Sequence, residues 1–155
     1  MQRVSDPSED KTRSSKEPSA YGLPRGYAAW TIFVFGVIAL SLGVIGLVSP
    51  DFLVWATRVP APDPGPFVRT SAMASTNMGV YYVLAASSNT RRFFTWTVPF
   101  RFLTFSVFSG MVLLGGAPAG LLGVAAWELL GALCTGAALW YEGSPPSPRA
   151  PAYAN

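Results

Sequence analysis

The 155-residue sequence contains no histidine and one cysteine, Cys134. Without histidine, the commonest general base and the commonest transition-metal ligand are gone. A lone cysteine cannot close an internal disulfide. Cys134 stands inside an apolar run with no metal-ligand spacing around it, so it reads as a small packing residue. Metal hydrolysis and thiol catalysis are poor fits, and neither a metal nor a cofactor is expected. Charge is also scarce: Asp, Glu, Lys and Arg make up 12% of the chain, against about 25% in soluble domains. The net charge of +3 is modest, and the basic residues are scattered rather than interleaved with aromatics on one face. That excludes a nucleic-acid platform. Gly36, Gly43 and Gly46 follow no phosphate-loop pattern and point to close helix packing instead.

What the chain has is apolar sequence. Half of its residues are hydrophobic, and a soluble chain of one domain's length would have to expose much of that surface. A bilayer removes the problem. Four apolar segments stand out, at 28–48, 70–86, 93–114 and 119–140. The first is uncharged and long enough to span about 30 Å. The second, TSAMASTNMGVYYVLAA, is the most polar and would be a doubtful span alone. The expected fold is all-α: a four-helix transmembrane bundle, up-down-up-down, over residues 25–142. Ser49, Pro50 and Asp51 are helix-start signals. They predict a short interfacial helix after the first span, with Phe52 and Trp55 turned toward lipid. PAPDPGP then reads as a stiff extended linker. The short connections SSNTRR and GGAP predict that spans two and three, and three and four, are antiparallel neighbours. Residues 1–24 are polar and Ser-rich, and 143–155 are Pro-rich. Both are expected to be disordered tails, and the first lacks the features of a secretory signal.

Orientation follows from Lys and Arg placement. Arg3, Lys11, Arg13, Lys16, Arg25, Arg91, Arg92 and Arg149 fall on one side of four spans, and only Arg58 and Arg69 on the other. Both termini are expected in the cytoplasm. Trp30, Trp96, Trp140 and Tyr141 mark the same boundary as an aromatic belt. The expected location is an endomembrane such as the endoplasmic reticulum in a eukaryote, or the inner membrane in a bacterium.

Two charges interrupt the spans. Arg101 lies about 12 Å in from one end of the third, and Glu128 about 14 Å in from the opposite end of the fourth. The two therefore fall near one level, where each alone would cost about 3 kcal/mol or more. Paired, they keep each other ionised. Thr97, Arg101, Thr104 and Phe108 share one helical face. Ala125, Glu128, Gly131, Ala132 and Thr135 share another, and Thr70, Ala74, Asn77 and Tyr81 a third. The predicted centre is Arg101–Glu128–Asn77 with Tyr81 or Tyr82 nearby, and Pro99 is expected to kink the third span beside it.

Two readings of this centre stand side by side. It is a structural pair that fixes which helix faces which, or it is a functional site, as intramembrane charges often are. As a site, Asn77, Tyr81, Arg101, Thr104 and Glu128 would bind a lipophilic small molecule, in a protein that holds such a molecule or tethers membrane enzymes of sterol, terpenoid or polyketide metabolism. The alternative is a small isomerase or cyclase in which Glu128, with Arg101, is the catalytic proton-transfer group. Membrane lipid is the remaining expected partner. The sequence leaves the oligomeric state open.

Several stretches carry a resemblance. Pro50-Asp51 follows the first span, Arg69 precedes the second, and NMGVYY, RRFFTWTVPFRF and WELLGAL follow in order. The run from Pro50 to Leu139 resembles small four-helix membrane proteins of the DoxX-like type. That likeness implies Arg69, Arg101 and Glu128 as pattern residues, and Ala72 or Ala74 replaces a glycine of the pattern. RRFFTWTVPFR alone is similar to the ergosterol-biosynthesis scaffold proteins of the fungal and animal endoplasmic reticulum. Neither likeness implies a reaction.

Overall fold

A computed structural model describes residues 22–60 and 64–143. They form five α-helices: α1 (Tyr27–Val48), α2 (Pro50–Thr57), α3 (Pro64–Ser87), α4 (Arg91–Leu113) and α5 (Leu121–Gly143). There is no strand among the described residues. Three helices, α1, α4 and α5, are long and apolar enough to cross a membrane. The 24-residue α3 is as long, but its Ser, Thr and Asn residues keep it outside that group.

The helix ends follow the local chemistry. α2 opens with Pro50 in its first turn and Asp51 beside it, and it closes on Arg58 in the left-handed conformation at φ 56°. A proline is tolerated at a helix start because the first-turn N–H groups have no intrahelical acceptor. The same reason corrects the expected linker. Pro64, Gly65 and Pro66 form the first turn of α3 rather than extended chain, so this helix starts nearly two turns before residue 70. Residues 61–63 of that linker lie outside the described residues. α4 runs through Pro99 without a break.

The expected tails are corrected at one edge. Gly22 N–H donates to the Ser87 carbonyl at 3.2 Å, Pro24 is buried, and Arg25 N–H donates to Asn89 Oδ1 at 2.7 Å. The chain is therefore held against the α3–α4 turn from residue 22 onward. Residues 1–21 and 144–155 lie outside the described residues.

Side-chain contacts give the helix directions. Along α1, Gly36 meets Tyr82, Gly43 meets Thr76 and Gly46 meets Ala72, so α3 runs antiparallel to α1. Glu142 meets Ala28 and Thr135 meets Thr31 at 3.1 Å, so α5 is antiparallel as well. Arg91 meets Glu142 and Arg101 meets Glu128, which sets α4 antiparallel to α5. α1 is the hub: it touches each of the other four helices.

The packing is uneven. α1 and α3 share the most extensive interface, and α4 and α5 pair with each other. A Cβ placed on Gly36 would come within 2.7 Å of the Tyr82 Cβ, and one on Gly79 within 2.7 Å of the Leu40 side chain. Such an approach needs small residues on both partners. By contrast, α3 makes little contact with α4 or α5. The expectation that the second and third long helices pack as neighbours is therefore corrected. They meet beside their short turn, where Tyr82 and Phe93 stack edge to face at 5.5 Å, and separate beyond it. The buried apolar cluster of Ala28, Ala29, Ile32, Phe35, Tyr82, Ala86 and Phe94 sits at that closed end. The outward faces carry Val34, Val44, Phe100, Leu103, Leu130 and Leu133, all exposed.

Candidate functional site

The separation of α3 from α4 and α5 leaves a cleft floored by α1. Its volume is about 260 Å³, and its lining includes Ala39 of α1, Ala74 and Met78 of α3, Arg101 of α4, and Trp127 and Glu128 of α5. The polar groups of the cleft are set by helix register. Arg101 follows Phe94 and Thr97 on the one buried face of α4. Glu128 belongs to the α5 face whose buried members are Ala125, Gly131, Ala132 and Thr135.

Arg101 Nη1 donates to Glu128 Oε2 at 3.3 Å. The two ends of this pair are unequally covered. The arginine side chain is 4% exposed, and the glutamate is 24% exposed. The guanidinium carbon lies 4.6 Å from the Phe35 ring centre and 5.0 Å from that of Tyr82. A cation beside ring faces is stabilised by the ring quadrupoles, by about 0.5–2 kcal/mol each depending on desolvation. Gly131 supplies the remaining wall. A Cβ there would collide with Arg101 Nη1 and stand 2.9 Å from Cζ, so the guanidinium occupies the space that a side chain at 131 would fill. Arg101 Nε is buried and has no hydrogen-bond partner. Leaving a buried donor unmade costs about 1–3 kcal/mol, and an apolar lining offers little to offset it.

The other sequence-derived candidates lie elsewhere. Asn77 and Tyr81 are exposed and line no part of the cleft, which corrects their expected place beside Arg101. The physical reason is the choice of face. α3 turns its small residues inward at positions 72, 75, 79 and 86, together with Tyr82, because α1 approaches closely only there. Ser75 Oγ donates across that interface to the Ala39 carbonyl at 2.9 Å. Tyr82, the other named tyrosine, is the one beneath the guanidinium. Thr104 is half-buried, with its hydroxyl donating to the Phe100 carbonyl of its own helix at 3.0 Å. Arg69 is exposed near the far end.

Phe35, Trp127 and Gly131 were not singled out as site residues by sequence reasoning. Phe35 and Trp127 are in ring contact at 4.4 Å, and both line the cleft. Gly131 carried a signal, since it stands one turn after Glu128 on the same face. Phe35 carried none, being one apolar residue in a helix that is apolar all round.

A second polar cluster was also missed. Glu142, in the last turn of α5, accepts from the Ala28 N–H at 2.9 Å and from Arg91 Nη1 at 3.3 Å. Gly26, which precedes α1, has no side chain to cap that helix, so the carboxylate from α5 does so. An acid placed just after the aromatic pair Trp140-Tyr141 was the available clue.

The chain matches no family model, no curated protein and no solved structure.

Proposed function

We propose that this chain is an integral membrane protein of four spans that binds a lipophilic small molecule in the cleft between α3 and the α4–α5 pair. One observation carries the reading: a largely apolar cleft between α3 and the α4–α5 pair that contains a single charged pair whose carboxylate is only partly covered. The span count rests on α1, α4 and α5 together with α3. α3 is too polar to qualify alone, yet it packs along most of α1, so whatever encloses α1 encloses it as well. Arg25, Arg91 and Arg92 gather at one end of the helices, and Arg58 and Arg69 at the other, where α2 lies. With the Arg- and Lys-containing tails, the first end is the cytoplasmic one. The likeness to DoxX-like proteins is part of the same proposal and adds no reaction to it.

The test is extraction of the protein from its membrane into polymer nanodiscs, followed by mass spectrometry of what it retains. Wild type should carry a lipophile enriched over bulk lipid. Ala74→Trp should lose it, because Ala74 is exposed on the cleft wall and does not touch the ion pair. Equal retention by both proteins, or no enrichment in either, overturns the reading.

A second reading is favoured by the same carboxylate. Glu128 is the one acid lining the cleft and could pass a proton to a bound molecule, as an isomerase or cyclase requires. In that case Glu128→Gln would retain the lipophile but leave it unconverted. An identical lipophile profile in Glu128→Gln and wild type removes this reading.

A further inference from the structure

The geometry points to a neutral lipophilic alcohol as the cleft's ligand class, with its hydroxyl donating to the open edge of Glu128. This rests on the cleft-binding reading above and narrows it.

A guanidinium in a cavity ordinarily selects carboxylates and phosphates. Here it is spent. Arg101 is enclosed by Phe35, Tyr82 and the Gly131 backbone, and it donates to Glu128 Oε2. Its Nε is sealed from any probe of water size. Of the pair, the carboxylate is the end that meets the cleft more openly, 24% exposed against 4%, and a carboxylate accepts hydrogen bonds rather than donating them. An arriving anion therefore meets like charge first. An arriving ammonium meets a carboxylate that is already neutralised, with Arg101 directly behind it, and must shed its own hydration to enter. A ketone or ester has only acceptors to offer that carboxylate, while the Ser75 hydroxyl of the lining already donates to the Ala39 carbonyl and Tyr82 is buried against the guanidinium. A hydroxyl donates one hydrogen bond to a charged oxygen, adds no charge to a balanced pair and has little hydration to lose.

The volume agrees with this assignment. About 260 Å³ is below the usual 300–1,000 Å³ of a closed pocket for a drug-sized molecule. It suits the polar end of a longer molecule whose apolar body extends beyond the cleft. Met78, on the α3 wall, offers the flexible apolar surface such a body needs.

The test uses full-length protein in detergent with radiolabelled hexadecanol or radiolabelled hexadecane. Competitors of equal chain length are hexadecane, hexadecanoate and hexadecylamine. Hexadecanol should bind saturably and roughly tenfold more tightly than hexadecane, the worth of a hydrogen bond to a charged group. Hexadecanoate and hexadecylamine should compete no better than hexadecane. Ala74→Trp should abolish binding of all four. The Arg101→Leu/Glu128→Leu double variant, which keeps charge balance, should still take up hexadecane and lose the preference for the alcohol. Equal competition by alcohol and alkane, or the best competition from the acid or the amine, overturns the hydroxyl assignment and leaves the lipophile reading standing. If neither labelled hexadecanol nor labelled hexadecane binds saturably, the cleft-binding reading falls and this inference with it.

Discussion

Two arginine–glutamate pairs join α4 to α5, and both close at 3.3 Å. Arg91–Glu142 lies at the end of the helices with its arginine 55% exposed, whereas Arg101–Glu128 lies midway with its arginine 4% exposed. Chemistry and distance are the same, so surroundings alone separate them. The outer arginine is solvated with or without its partner. The inner one has given up solvent for two aromatic rings and a glycine, and only Glu128 balances its charge. The carboxylates differ as well. Glu142 caps the α1 backbone and so has a structural task apart from its arginine. Glu128 is paired with Arg101 and lines the cleft, partly exposed.

Substitutions at the two pairs should differ in size, and the largest effect belongs to the inner pair. Arg101→Leu should lower unfolding stability in detergent by about 3–5 kcal/mol, because it strands Glu128 among packed helices. The Arg101→Leu/Glu128→Leu double variant should recover most of that loss. Additive losses would mean that the two charges are not coupled. Gly131→Val should come next, at about 1–3 kcal/mol, since the added atoms enter the guanidinium's space. Gly123→Val is the matched control on the same helix, where a Cβ meets nothing within 4 Å. Equal effects at the two glycines would remove Gly131 from the seat of Arg101. Glu142→Ala should cost about 1 kcal/mol through the lost α1 cap. The smallest effect is expected for Arg91→Gln, at about 0–1 kcal/mol, and it should vanish in about 1 M salt. The Arg101→Leu loss should persist in the same salt. A salt-sensitive inner pair would show that water reaches it.

The legibility of this molecule divides along the same line. The Arg101–Glu128 contact was readable because two isolated charges in apolar helices have few ways to avoid a prohibitive desolvation cost, and counting turns put them near one level. The faces of α4 and α5 followed from the small and polar residues around those charges. The face of α3 did not follow. Polarity suggested Thr70, Asn77 and Tyr81 as its inner side, while the inner side is Ala72, Ser75, Gly79, Tyr82 and Ala86. Their spacing of three and four residues was visible in the sequence, but it reports closeness of approach rather than polarity. Between helices that are apolar outside as well as inside, closeness is the stronger determinant. The missed cap at Glu142 is of another kind. Its partner is a backbone N–H more than a hundred residues away, and no side-chain pattern marks such a donor.

Composition and local pattern were enough to make the chain helical, to set which helices are apolar enough for a membrane, and to require an acid partner for Arg101. These follow from composition, from helix-start chemistry and from the electrostatics of one charge in a poor dielectric, all of which are local. Packing between distant segments made α1 the hub, set α3 against it and away from α4, and so left a cleft beside Glu128. Those outcomes depend on which small-residue surfaces fit each other most closely, a comparison among all pairs of helices that no single segment contains.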